Sequence, residues 1–277
     1  MRPSVAARGC LRTGAISVRS MASESDFSLQ EQLDAHNEVI EEVMRDAAAD
    51  FAERAATVEV ALEAPAKWWD EVVGPRLDRI AAAAGLSPGD VVLDVGVGTG
   101  TMIGFLTKDG RAREADVVGV DLCEEMLDIA SERYPEATLV VGDVLTATLA
   151  DLQLDKDAGE DAEGGGVGDA PAAMPRAFDA VVLNAVFSTL FDPKLALSAA
   201  SGLAARGGRV VVSHPLGAPF VKQLRGAMPD LILHELPGKA ALAKLVEFEA
   251  LRVLGVEEEE ELYIATLVRT PRRAPQP

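Results

Sequence analysis

The residues able to do chemistry stand at the ends of short β-branched runs. Asp94 lies in the run 91–95, and Gly96, Gly98 and Gly100 follow it at alternate positions. Glycines at that spacing let the backbone turn tightly and approach a ligand. The helical pattern of residues 101–108 places a helix N-terminus behind the turn, where polar or negative groups are favoured. Asp121 closes a second run, 116–121, about 20 residues past the glycines. Its two carboxylate oxygens can accept both hydroxyls of one ribose. Gly142-Asp143-Val144 follows a third run, 137–141, and Asn184 ends a fourth, 177–183. His214 ends a fifth, after Gly207-Gly208, and imidazole is the side chain best suited to general-base work near neutrality.

A dinucleotide fold shows G-x-G-x-x-G with an apolar residue two positions before the first glycine. Here the pattern is D-x-G-x-G-x-G, which resembles motif I of class I S-adenosylmethionine-dependent methyltransferases. The helix opening Leu122-Cys123-Glu124-Glu125-Met126-Leu127 is similar to the D-L-S-x-x-M-L of that family, with Cys123 where Ser or Thr usually caps. A thiol caps poorly. At a helix start it is either activated or a small residue tolerated at the cap, and the second is the expectation.

The resemblance covers five elements in family order over about 125 residues. It implies S-adenosylmethionine as cofactor, held by Asp94, Gly96, Gly98, Gly100, Asp121, Leu122, Met126, Asp143, Val144 and Asn184. In the family Asp121 would take the ribose, Asp143 the adenine amine, and Asp94 would orient the turn and meet the methionine amine through water. The segment 213–221 is similar to a plant and algal plastid branch of these enzymes. Asn184 lacks the Pro-Pro-Tyr-type continuation of enzymes that methylate amino groups of bases or glutamine. Its amide either contacts the acceptor or bridges two loops. His214 is either a general base or a hydrogen-bonded strand cap, whereas His36 and His234 read as structural.

The elements that must position these groups alternate strand and helix from residue 91 to 214, then end in two strands. Such alternation implies a parallel sheet with helices on both faces and ligand at the carboxyl ends of the strands. The expected architecture is an α/β, Rossmann-like, seven-stranded methyltransferase sheet with a C-terminal antiparallel hairpin. The acidic run 257–261 reads as a solvated turn between strands at 248–256 and 262–268. Residues 65–270 form the predicted domain, preceded by a helical segment at 23–64. Residues 151–176 form an acidic, glycine-rich insertion without periodicity, and 271–277 a tail. Trp68 and Trp69, just before the domain's first helix, either line the substrate pocket or pack on and cover the sheet.

Residues 1–22 carry Arg2, Arg8, Arg12 and Arg19 and no acid, the composition of an organelle transit peptide, plastid before mitochondrion. Losing those four arginines takes the formal charge from −19 to −23. So acidic a body repels phosphate backbones, which argues against a nucleic-acid substrate. Two cysteines give no disulfide framework, the three histidines form no metal set, and no apolar run is long enough to span a bilayer. The expected activity is therefore in-line methyl transfer to a small-molecule acceptor, without metal, nucleic acid or membrane. The competing classes are a non-catalytic binding module on the same fold and an NAD- or nucleotide-binding Rossmann enzyme.

Overall fold

The computed structural model describes residues 28–53, 69–152 and 177–271. The predicted transit segment, Trp68, most of the acidic insertion and residues 272–277 lie outside the described residues.

Helix α1 (Leu29–Glu53) comes first, then a π turn (Trp69–Val73) running into α2 (Gly74–Ala84). The core follows as β1 (Val92–Val95), α3 (Thr101–Thr107), β2 (Val117–Asp121), α4 (Glu124–Arg133), β3 (Thr138–Val141) and a one-turn helix α5 (Leu149–Leu152). Next come β4 (Phe178–Asn184), α6 (Pro193–Leu203), β5 (Ala204–His214), α7 (Gly217–Ala227) and α8 (Lys239–Leu245). The hairpin β6 (Leu251–Glu259) and β7 (Leu262–Arg269) closes the chain.

Seven strands form one sheet in the order β3-β2-β1-β4-β5-β7-β6. The first five are parallel, and β7 inserts antiparallel between β5 and β6. Strands β1, β2 and β4 are buried almost throughout, as helices on both faces require, so they read as continuous Val/Leu runs. Successive side chains divide between two cores. Leu93, Val95, Val120, Val181 and Val212 pack with Leu197 and Tyr263 on one face. Val92, Val117, Val182 and Val211 pack with Leu77, Ile80 and Ile103 on the other.

Local chemistry sets the helix ends. Pro75 stands in the first turn of α2, and Gly85 ends it in the left-handed conformation. Asp192 caps α6 by accepting from the backbone N–H of Lys194 and Leu195.

Three expectations change. The first of the last two strands begins at Leu251 and runs through Glu259, while Phe248 stands outside it, 80% exposed. The acidic run is also not simply solvated: Arg79 bonds Glu257 and Glu259, and Arg76 bonds Glu261, so α2 is tied to the hairpin. Pattern alone shows an acidic tip, and only the sheet order brings α2 beside it. These acids are exposed, so solvent screens each pair and the tie adds little to stability. Asp151 and Leu152, expected to open the insertion, belong instead to α5.

Tyr263 is fully buried on β7, and its hydroxyl donates to the Pro237 carbonyl at 2.7 Å. Tyr263→Phe is expected to lower stability by about 1 kcal/mol, because that part-buried carbonyl loses its donor. Urea unfolding should show a lower midpoint with an unchanged slope.

Candidate functional site

Strand order reverses at β1: the chain proceeds to β2 and β3 on one side, then returns to β4 and β5 on the other. The loops leaving β1 and β4 therefore diverge at their carboxyl ends and leave a cleft, the usual ligand position in such sheets. Gly96, Gly98, Asp121, Leu122, Asp143, Val144 and Asn184 all line it. The sequence places these seven at strand ends, and the topology brings them together.

Two glycines shape the floor. Gly96 has φ +65°, and a Cβ there would sit 2.5 Å from a Val186 methyl, so the β1 turn and the loop after β4 pack as close as glycine permits. Gly98 has φ +52°, with open space where its Cβ would be. Its N–H donates to Asp121 Oδ2 at 2.9 Å, and Asp121 Oδ1 accepts from the Cys123 N–H at 3.0 Å. The β1 turn and the end of β2 are thus one hydrogen-bonded unit. Burial raises the Asp121 carboxyl from its ordinary value, opposed by those backbone donors.

Asp143 is also held twice: Oδ1 accepts from the Leu145 N–H and Oδ2 from the Asn37 amide, both at 2.8 Å. Asn184 accepts from the Ser213 hydroxyl at 3.1 Å through Oδ1, and its N–H₂ makes no bond among the described residues. Ala185, next in the chain, has φ +60°, a strained non-glycine backbone at the mouth of the cleft.

Asp94, Gly100 and Met126 are not cleft residues. Gly100 is the N-cap of α3, where a Cβ would sit 2.8 Å from the Tyr134 ring, and Met126 is packed in the interior. Asp94 is 1% exposed on β1, and its Oδ2 has no partner among the described residues. Burial, then the charge of Asp121, pushes its carboxyl up to about 8. Cys123 is the tolerated cap: it makes no capping bond, its thiol donates to Glu125, and burial pushes it up to about 11.

His214 requires correction. It does not line the cleft; its Nδ1 accepts from the Leu216 N–H at 3.1 Å, and its ring lies against Phe220. Burial pushes its imidazole down to about 4. The neutral ring then carries its proton on Nε2 and has no free lone pair for general-base work. His36, expected to be structural, does line the cleft, together with Asn37 and Ile40 from α1. A signal for them existed: both polar residues fall between Leu33 and Ile40, which are buried one helical repeat apart. The Trp69 backbone opens the π turn.

Residues 93–210 match the family profile of a methyltransferase domain. The structure aligns with magnesium protoporphyrin IX methyltransferase from Synechocystis PCC 6803, solved with bound SAH, at a TM-score of 0.53 and 19% identity. That alignment covers 84% of this chain and 99% of the other. The fold is the class I methyltransferase fold. Within it, the antiparallel β7 between β5 and β6 is the hairpin insertion expected from the sequence. Demethylmenaquinone methyltransferase of Renibacterium salmoninarum is 28% identical over 164 residues, 58% of this chain and 56% of that protein. Ubiquinone biosynthesis O-methyltransferase of Chromobacterium violaceum is 31% identical over 156 residues, 53% of this chain and 57% of that protein. The chain thus spans little more than half the length of these curated relatives.

Proposed function

We propose that this protein binds S-adenosylmethionine in the cleft and transfers its methyl group to a small-molecule acceptor. The carrying observation is the unit formed by the glycine turn and Asp121, with open space over Gly98. Three features fit the cofactor. Asp121 retains acceptor capacity for ribose hydroxyls beside its two backbone donors. The aliphatic walls, including Leu122, Val144 and Leu145, suit a flat base. Asp94 is a buried carboxyl close behind the turn with one oxygen unpartnered among the described residues, which suits a cationic ligand group nearby. When bound, the cofactor supplies a methyl already activated as an electrophile.

The chain's own residues then have positioning work. Asp121 and the glycine turn fix one end of the ligand, Asn184 offers its amide at the β4 end, and α1 covers the cleft with His36, Asn37 and Ile40. Alignment of the reacting groups is the main requirement of such a displacement. The apolar lining and the quinone-pathway names of the two curated relatives support a small, largely apolar acceptor. The arginine-bearing residues 1–22 support an organelle address, plastid before mitochondrion.

Calorimetric titration of the full chain with S-adenosylmethionine, S-adenosylhomocysteine and NAD tests this reading. Binding of both adenosyl ligands at low micromolar concentration, with none of NAD, is expected. A preference for NAD, or no binding of any of the three, overturns it.

A further inference from the structure

We infer that His36, on the helix covering the cleft, is the general base that takes the proton from a neutral hydroxyl-bearing acceptor. The inference rests on the methyl-transfer reading above. Its geometry starts from the loop between β4 and α6. That loop is braced from several directions: Thr189 N–H and Oγ1 both donate to the Val186 carbonyl, and the N–H groups of Leu233 and His234 converge on the Ser188 carbonyl. His234 Nε2 meets the Phe191 carbonyl at 3.0 Å. The Thr189 carbonyl is therefore held firmly, and His36 Nε2 lies 2.7 Å from it.

A carbonyl oxygen can only accept, so Nε2 must carry the proton. In the neutral ring the lone pair is then on Nδ1, which has no partner among the described residues. The ring is further oriented against Phe191, centroids 5.9 Å apart. A carbonyl that pins one nitrogen while the other stays available is the usual arrangement of a positioned imidazole base. Neither other histidine brings it to the cleft. The Nδ1 lone pair of His214 is spent on Leu216, and His234 is not a cleft residue.

The acceptor's class follows from the other charged groups. The titratable groups of the same cleft are Asp121 and Asp143, and His234 stands on the far side of the loop. On the cofactor reading above Asp121 takes the ribose and Asp143 the adenine, each beside the donors that already hold it, so neither is left for an ammonium of the acceptor. Toward α6 the walls are Val186, Leu190 and Phe191. A neutral apolar molecule with a phenolic hydroxyl fits this setting. Its oxygen forms the bond to the methyl carbon, the carbon–sulfur bond breaks with its electron pair on sulfur, and the hydroxyl proton passes to His36 Nδ1 and then to water.

The test uses the full chain, His36→Gln, and two probes, 3-geranylcatechol and 4-nitrocatechol. Glutamine can still donate to the Thr189 carbonyl but offers no basic nitrogen. The nitro probe is already ionised near neutral pH and needs no base. His36→Gln is expected to keep its affinity for S-adenosylhomocysteine within about threefold and to lose about 100-fold or more in kcat on 3-geranylcatechol. On 4-nitrocatechol the loss should be less than about fivefold. Nitrogen-15 NMR of histidine-labelled protein should find His36 protonated on Nε2 and bare on Nδ1. Equal losses on both probes, no loss on either, or a proton on Nδ1 would each overturn the assignment. A wild type that binds the cofactor but turns over neither catechol overturns the hydroxyl-acceptor class. Failure of the wild type to bind the cofactor is read separately by calorimetry; it removes the methyl-transfer reading and this one with it.

Discussion

Asp121→Ala should weaken S-adenosylmethionine binding by about 100-fold or more while leaving the protein folded. The carboxylate acts in two ways. It would accept ligand hydroxyls directly, and hydrogen bonds to an ionised group are worth about 1.5–3 kcal/mol each. Two such bonds account for the 100-fold, since every 1.4 kcal/mol is about tenfold in affinity. It also holds the Gly98 N–H at 2.9 Å and the Cys123 N–H at 3.0 Å, so its removal releases the turn that forms the floor of the cleft. The fold itself loses little, because the alanine also removes a carboxylate that burial disfavours. Asp121→Asn is the informative companion: it keeps an acceptor oxygen without the charge, and an intermediate affinity is expected. Calorimetry on both variants, with melting temperatures as a control for folding, decides it. Wild-type affinity in Asp121→Ala would remove this residue from the site.

A second large effect concerns pH. Asp94 is buried on β1 with one oxygen unpartnered, and its carboxyl is pushed up to about 8 by burial and by Asp121. The unfolded chain releases this proton near pH 4, the folded chain only near 8. Between those values the folded state binds more protons, so stability is highest at the acid end of the window and falls as pH rises through it. The slope from this one group is at most about 1.4 kcal/mol per pH unit. Asp94→Asn, neutral and of the same shape, removes that slope. Its stability should lie nearest the wild type at the acid end of the window, and its margin over the wild type should grow by a few kcal/mol toward pH 8 in the cofactor-free protein.

His214 works in the opposite sense. Its folded value of about 4 lies below the ordinary 6.5, so the stability it contributes is present above that range and is lost as pH falls through it. Comparing Asp94→Asn with the wild type at each pH cancels that shared contribution. Urea unfolding from pH 5 to 8.5 is the measurement. Parallel curves would mean that the Asp94 carboxyl is ionised throughout.

The contrast between Asp121 and His214 shows how far strand-end patterns carry. Both were legible as polar groups closing a β-branched run. Asp121 faces the cleft because β2 lies beside β1 and its carboxylate reaches back to Gly98. His214 ends β5 one strand beyond β4, and its ring turns into α7 against Phe220. A strand's end is marked by local sequence; the direction of its last side chain depends on the neighbouring elements. Asp94 illustrates the same limit. Its spacing before the glycines marked the turn, but burial behind the cleft wall and the loss of a partner arise only once helices cover both faces of the sheet.

By itself the sequence determined the sheet, its parallel core, the final hairpin and the glycine turn with its acids, because these depend on short β-branched runs and on residues close in the chain. Tertiary structure alone decided which histidine meets the cleft, what Asp143 holds, and how the acidic hairpin is tied to α2. His36 and Thr189 are 153 residues apart, Asn37 and Asp143 are 106 apart, and Arg79 and Glu259 are 180 apart. No local period encodes such pairs. They follow from where the packing of apolar faces sets α1 and α2 against the sheet.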